Sequence, residues 1–389
     1  MRVHFCFAYF DSKNTPGFNI PLPLFDQRPL FFDECARQAQ KSITFVRFLD
    51  YHMKLRLFLI SVLVLCGGSV GAQNKALEAV KSHVDEISID TRATFHQEVR
   101  AGKYDTHFQG DYLNLHIFGH LTDNISLRVR QRLNKKIDEK NPFNATDFLW
   151  LKWQINPKWA ITAGKQPILI GGYEIDSPPI DVYYYGAFSN NLYQYYAFGV
   201  TGTWTPAPEQ NISFQFCPSP ISPGTQDAYS YNLYWNGHFG QRWRTTWSYN
   251  LVGDELGRWM NYEVLGNKFL MGPLVVDVDF INRHSVHQSN WFFSDWSVIC
   301  KAILTLGKWN LCTKVGYERN SAANVDADGV SYDLVLPAGN NYLYGGAGVE
   351  YFPLGNDRLR LHLAFFRDNH DDLHNLDIGI TWRFTLYKQ

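Results

Sequence analysis

From residue 88 to the C-terminus the chain keeps a two-residue hydrophobic rhythm that few folds can satisfy. In the last such segment Leu376, Ile378, Ile380, Trp382, Phe384 and Leu386 fall on one side, against Asp377, Gly379, Thr381 and Arg383 on the other. Leu359, Leu361, Leu363 and Phe365 likewise oppose Arg358, Arg360 and His362. Ile125, Leu127 and Val129 oppose Ser126, Arg128, Arg130 and Arg132. Side chains of a β-strand point alternately to opposite faces, so each segment is a strand with one apolar and one charged face. Sixteen such segments can be drawn between residues 88 and 387. An apolar face this continuous aggregates in water, whereas in lipid it is the required outer band, with the charged face lining an aqueous lumen. No run of about eighteen apolar residues follows Gln73, so the spanning elements are not helices.

The connections sharpen this reading. Asn156-Pro157-Lys158, Pro206 to Gln210, Leu306-Gly307-Lys308 and Pro353 to Asn356 carry tight-turn chemistry, and they alternate with long connections at 135–146, 169–191 and 320–340. Strict alternation of short and long connections belongs to an up-and-down barrel whose rims face different solutions. The expected fold is therefore all-β: a transmembrane antiparallel up-and-down barrel of about 16 strands, with short periplasmic turns and long extracellular loops. Trp150, Trp153, Trp159, Trp204, Trp235, Trp243 and Trp309 fall near expected strand ends, as interfacial girdles do.

Targeting is written inside the chain, not at residue 1. Met53-Lys54-Leu55-Arg56 is a basic stretch, Leu57 to Leu65 is apolar, and Val70-Gly71-Ala72 is a small-residue cleavage site. This predicts an upstream extension at 1–52 that is not part of the fold, a signal peptide at 53–72, a short periplasmic segment at 73–87 and a barrel at 88–389. Beyond Gln73 the cysteines are Cys217, Cys300 and Cys312, an odd count that argues against a disulfide framework. A net charge of −1 gives no argument for a nucleic-acid partner.

A pore works through what lines it, so the inward face is the site. The expected basic lining is Arg92, Arg128, Arg130, Arg132, Lys152, Lys165, Arg242, Arg244, Arg358, Arg360 and Arg383. The expected acidic lining is Asp277, Asp279 and Asp295, some way round the wall, so that a field crosses the lumen. The long segment 169–191 carries Tyr173, Glu174, Asp176, Asp181 and the run Tyr183, Tyr184, Tyr185, with Pro178-Pro179 to stiffen it. An ordered loop of this length is the expected constriction. His370-Asp371-Asp372-Leu373-His374 reads as a solvated turn, and no metal or cofactor is expected. No phosphate-binding glycine loop, nucleophile elbow or His-Glu-x-x-His motif occurs.

The segment Trp159-Ala160-Ile161-Thr162-Ala163-Gly164-Lys165-Gln166-Pro167, preceded by the Asn156-Pro157-Lys158-Trp159 turn and followed by the long loop, resembles the strand-five signature of the phosphate-selective porin O/P family, nearest its Bacteroidetes branch. The resemblance implies a sixteen-stranded, usually trimeric porin in the outer membrane of a Gram-negative bacterium. It also implies an inward-folded third loop and basic residues along the conduit. Family members with a phosphate preference have dense cations at the constriction, whereas here that loop carries Glu174, Asp176 and Asp181. The expectation is passive diffusion of small hydrophilic solutes with weak anion selectivity. The alternatives are an outer-membrane barrel enzyme of phospholipase or protease type, or a plugged surface-binding barrel.

Overall fold

The computed structural model describes residues 83–139, 141–369 and 372–389. The expected upstream extension, the signal peptide, residues 73–82 of the 73–87 segment, and His370 and Asp371 lie outside the described residues. Sixteen antiparallel strands close into one barrel among the described residues. The first eight are β1 (Val84–Arg100), β2 (Lys103–Thr122), β3 (Ile125–Arg132), β4 (Thr146–Asn156), β5 (Trp159–Pro167), β6 (Tyr196–Ala207), β7 (Gln210–Pro218) and β8 (Tyr229–Phe239). They continue as β9 (Trp243–Gly253), β10 (Trp259–Met271), β11 (Leu274–Ser285), β12 (Asp295–Leu306), β13 (Trp309–Arg319), β14 (Asn341–Tyr351), β15 (Leu359–Asp368) and β16 (His374–Lys388). Every strand pairs with its sequence neighbours, and β1 pairs with β16 to remove the last free edges.

The alternation sorts as expected. Leu361, Leu363, Phe365 and Ile378 are exposed on the outside, while Arg360, His362, Asp377 and Thr381 are buried within. The aromatic girdle forms at the short-turn rim. Trp159 stacks on Trp204 at 6.0 Å, Trp235 meets Trp247 edge-on at 5.0 Å, and Trp309 lies 4.4 Å from Tyr351. Amphipathic rings placed there suit a boundary that is apolar on one side and wet on the other. Trp150 departs from this pattern. It pairs with Arg128 and Gly164 in the middle of the wall, on the inward row.

Two departures concern the backbone. The first two strands are joined by a tight hairpin with no loop between them. Ala101 and Gly102 both adopt left-handed conformations (φ 48° and 74°), the geometry of a two-residue hairpin turn, so β2 starts at Lys103. The barrel strand β1 also begins earlier than expected, at Val84. The second departure is a pair of β-bulges. The register slips between Arg92 and Ala93 opposite Asp111, and between Arg130 and Gln131 opposite Asp147. A bulge inserts one unpaired residue and re-aims its side chain.

Candidate functional site: the lumen and its inward loop

The long segment between β5 and β6 turns into the lumen. It holds a one-turn helix α1 (Tyr173–Asp176), a 3-10 turn (Pro179–Asp181) and a second short helix α2 (Ala187–Asn191). Its entry lies flat against the wall. A Cβ on Gly171 would sit 2.6 Å from the Thr246 carbonyl oxygen, and Gly172 adopts φ 95°, so two glycines allow the turn onto β9. The Asp279 carboxylate then accepts the backbone N–H groups of Tyr173 and Glu174, both at 2.8 Å. Farther along, the Arg92 guanidinium donates to the carbonyls of Ile180 (3.1 Å) and Val182 (2.9 Å). Asp181 bridges Arg360 (2.8 Å) and Arg383 (2.5 Å). Glu318 accepts the N–H groups of Ala187 (2.6 Å) and Phe188 (2.8 Å). The loop is thus a crossbar tied to β1, β9, β11, β13, β15 and β16.

Its tyrosines are fasteners. Tyr183 donates to Glu350 at 2.7 Å and stacks on His362 at 4.5 Å. Tyr184 bonds Tyr342 and Asp368 and stacks on Phe366 at 5.1 Å. Tyr185 packs against Tyr195, and the Tyr173 ring lies 4.2 Å under the Lys268 ammonium. Glu174 is ion-paired with Lys314 and also accepts the Gly186 N–H at 2.8 Å. Of the three loop carboxylates, two are therefore neutralised by wall cations. Asp176 is exposed to the lumen. The barrel around it still withholds bulk water, and this desolvation raises its carboxyl above the ordinary range against the opposing pull of Lys268.

The wall of β1–β4 is arginine-rich. Arg128, Arg130, Arg132 and Arg383, with Tyr112, Asn114 and His116, line a cavity of about 290 Å³ closed on its inner side by Pro178, Pro179 and Ile180. The cations are partly offset. Asp147 takes Arg130 at 3.0 Å and Arg132 at 2.7 Å, Asp111 takes Arg92 at 2.9 Å, and Asp90 lies 3.1 Å from His116. Arg128 meets no carboxylate among the described residues. Its guanidinium stands 4.5 Å over the Phe148 ring, which Arg130 also faces at 4.1 Å.

Several expected lining residues lie elsewhere. Lys165 shares its row with Ile161 and pairs with Leu149 and Phe198, all outward-facing, and its ammonium reaches up to the Phe143 carbonyl at 2.6 Å. A long stem on the lipid side with its charge drawn to the rim is snorkelling, not pore lining. Arg242 and Arg358 sit exposed in the turns before β9 and β15, at the rim and not on the wall. Asp295 is fully buried beneath the 320–340 loop, where it binds the Ser321 N–H and the Asn324 amide. Lys152 and Arg244 do face inward, beside Thr162 and Lys268 respectively. Asp277 is held by Lys268 at 3.5 Å and Lys301 at 4.0 Å. Asp111 and Asp147 are functional neighbours that alternation missed, because a strict two-residue rhythm places both on the lipid side.

The opposite half of the interior is dry on the long-loop side. Phe188 and Leu192 of the crossbar pack with Val252, Met260, Tyr262, Val264, Ile281 and Val335 into a buried cluster. Beside it Arg283 and Asp333, both with fully buried side chains, pair at 2.7 Å. All three cysteines beyond Gln73 are free thiols.

Residues 86–248 match the family model described as Phosphate-selective porin O and P. No curated protein matches the chain in sequence. Among solved structures the barrel is similar to OmpF of Salmonella typhi in complex with daunomycin, at 11% identity over 77% of this chain and 98% of that one, with a TM-score of 0.54. It is also similar to the anion-selective porin of Comamonas acidovorans, at 10% identity over 77% of this chain and 98% of that one, with a TM-score of 0.53. The trimer form of OmpT, an outer membrane protein of Vibrio cholerae, gives 12% identity over 77% and 99% of the two chains and a TM-score of 0.52. At such identities the likeness is one of fold alone.

Proposed function

We propose, from the match of residues 86–248 to the family model described as phosphate-selective porin O and P, that this Gram-negative outer-membrane porin passes small hydrophilic solutes by passive diffusion with a weak preference for anions. The observation that carries the preference is the β1–β4 wall. It faces a cavity with Arg128, Arg130 and Arg132, while Glu174 and Asp181 of the crossbar are neutralised by Lys314, Arg360 and Arg383. Cations that line a water-filled path raise the local anion concentration. Asp147 and Asp111 offset part of that charge, so the preference is weak and strong phosphate selectivity is not expected. Likeness in fold to a trimeric barrel, together with the family resemblance, favours assembly as a homotrimer. The proposed mature chain starts near Gln73, after a signal peptide at 53–72, and N-terminal sequencing of the exported protein checks that start.

The test is reconstitution into a planar bilayer under a salt gradient. The reversal potential should show modest anion preference, and replacing Arg128, Arg130 and Arg132 together by Ser should lower it. An unchanged reversal potential overturns the selectivity reading. The buried apolar cluster inside the barrel favours one rival, a plugged surface-binding barrel, and a folded protein that never conducts would establish it.

A further inference from the structure

Strand β12 departs from the alternation of apolar and polar faces. Its sequence Val298-Ile299-Cys300-Lys301-Ala302-Ile303-Leu304 is apolar on both faces, interrupted by a single charge. Inward-facing Ile299, Lys301 and Ile303 border a cavity of about 300 Å³ beneath the crossbar, on the short-turn side. On the adjoining strands β13, β14 and β15 the wall continues as Cys312, Gly346, Gly348 and Ala364, small and apolar where a lumen wall is ordinarily polar. An apolar wall in a wet lumen costs free energy unless something apolar covers it.

Charge decides what kind of occupant fits. Lys314 is held by Glu174 and the Tyr184 carbonyl, Arg360 by Asp181 (2.8 Å) and Glu350 (3.2 Å), and Arg383 by Asp181 (2.5 Å). Among the described residues Lys301 pairs only with Asp277, at 4.0 Å, and that carboxylate lies nearer to Lys268, at 3.5 Å. Lys301 also stands directly opposite Lys314 in the register, so two cationic side chains start from neighbouring positions on the wall. It is the least committed cation bordering the cavity, with isoleucines on both sides of it.

We propose that this cavity is a binding site for small organic carboxylates with an apolar body, the carboxylate on Lys301 and the body against Ile303, Cys312 and Ala364. A pocket of this size, mostly apolar by area with one loosely held cation, is of the kind that holds small amphipathic ligands. The site rests on the porin reading only for its role in transport, since binding needs no conductance.

The experiment separates the two. Acetate, butyrate and hexanoate are titrated into the detergent-folded full barrel by calorimetry, with hexylammonium and hexanol as head-group controls, and the same solutes are added to single channels. Affinity should rise with chain length, by about two- to fourfold per added methylene, and hexanoate should interrupt the current for longer than acetate. Lys301→Gln should weaken hexanoate by about tenfold, the scale of one charge-assisted contact, and leave hexanol unaffected. Ile303→Ser should flatten the chain-length trend while keeping the preference for carboxylate over ammonium. Binding that ignores chain length, or hexylammonium binding as tightly as hexanoate, overturns the proposal. Binding without any conductance would leave the site standing and remove the porin reading instead.

Discussion

The two halves of the interior solve the same electrostatic problem in opposite ways. On the β1–β4 side, arginines stand in a water-lined cavity, and each carboxylate that meets them sits at the wall itself. Asp147 and Asp111 are delivered by bulges, and Arg128 leans on an aromatic ring instead of an acid. On the long-loop side of β9–β14 one charge pair is taken out of water altogether. Arg283 lies fully buried among Asp333, Ser297 and the Arg319 carbonyl, next to an apolar cluster that the crossbar and the 320–340 loop supply. Charges near water interact weakly and are tunable, whereas buried ones are rigid and unforgiving. One half is therefore built to act on passing solutes, and the other to hold the crossbar still while it does so.

The largest effect should come from breaking the dry half. Asp333→Ala leaves Arg283 buried without its partner, and removal of one member of such a pair costs about 3–5 kcal/mol. The measured sign is a lower urea midpoint for the folded barrel, together with faster proteolysis of the 320–340 loop. Arg128→Ser on the wet side should shift neither. If both variants unfolded alike, the division into a rigid and a tunable half would be wrong.

A smaller effect, of the opposite kind, belongs to Asp147→Asn. It should cost less stability than Asp333→Ala, because Arg132 remains partly exposed, and it releases Arg130 and Arg132 from their shared carboxylate. One unit of charge on a partly screened wall changes the anion-to-cation permeability ratio on the order of threefold. The reversal potential should move toward greater anion preference, contrary to Arg128→Ser. A shift toward cations would mean that the conduit avoids this wall.

Much of this architecture was legible in the chain because it depends on period and punctuation. Strand number, the three longest loops, the outer apolar face and the inward arginines all follow from counting by twos between turns. What escaped was whatever breaks the count. Asp111 and Asp147 were invisible as lumen residues because a bulge reverses parity for one residue, and no local signal in either strand announces it. Lys165 looked like lining because it is charged, although its own row, with Ile161 and Ala163, already placed it outside. Arg242 and Arg358 were lost to strand ends, where a one-residue difference separates wall from rim. The loop's position was legible only as a length and a composition. Its inward fold is fixed by Arg92, Asp279, Glu318 and Arg360, partners distant in sequence that no local pattern connects to it.

The smallest effect concerns the one crossbar carboxylate without an ion pair. Asp176 is exposed where Glu174 and Asp181 are paired, so it alone of the three presents net negative charge to the path. Because desolvation raises its carboxyl, it takes up a proton at a higher pH than an ordinary aspartate as the solution is acidified. Each Asp176 protonated removes one negative charge from the constriction, so anion preference should rise on acidification, beginning at a higher pH than an ordinary aspartate would give. The difference between the wild-type and Asp176→Asn titrations isolates the carboxylate. The variant should be more anion-selective at neutral pH and converge with the wild type in acid. Parallel curves that never meet would show that Asp176 keeps its charge throughout, and that the crossbar contributes no titrating group to the pore.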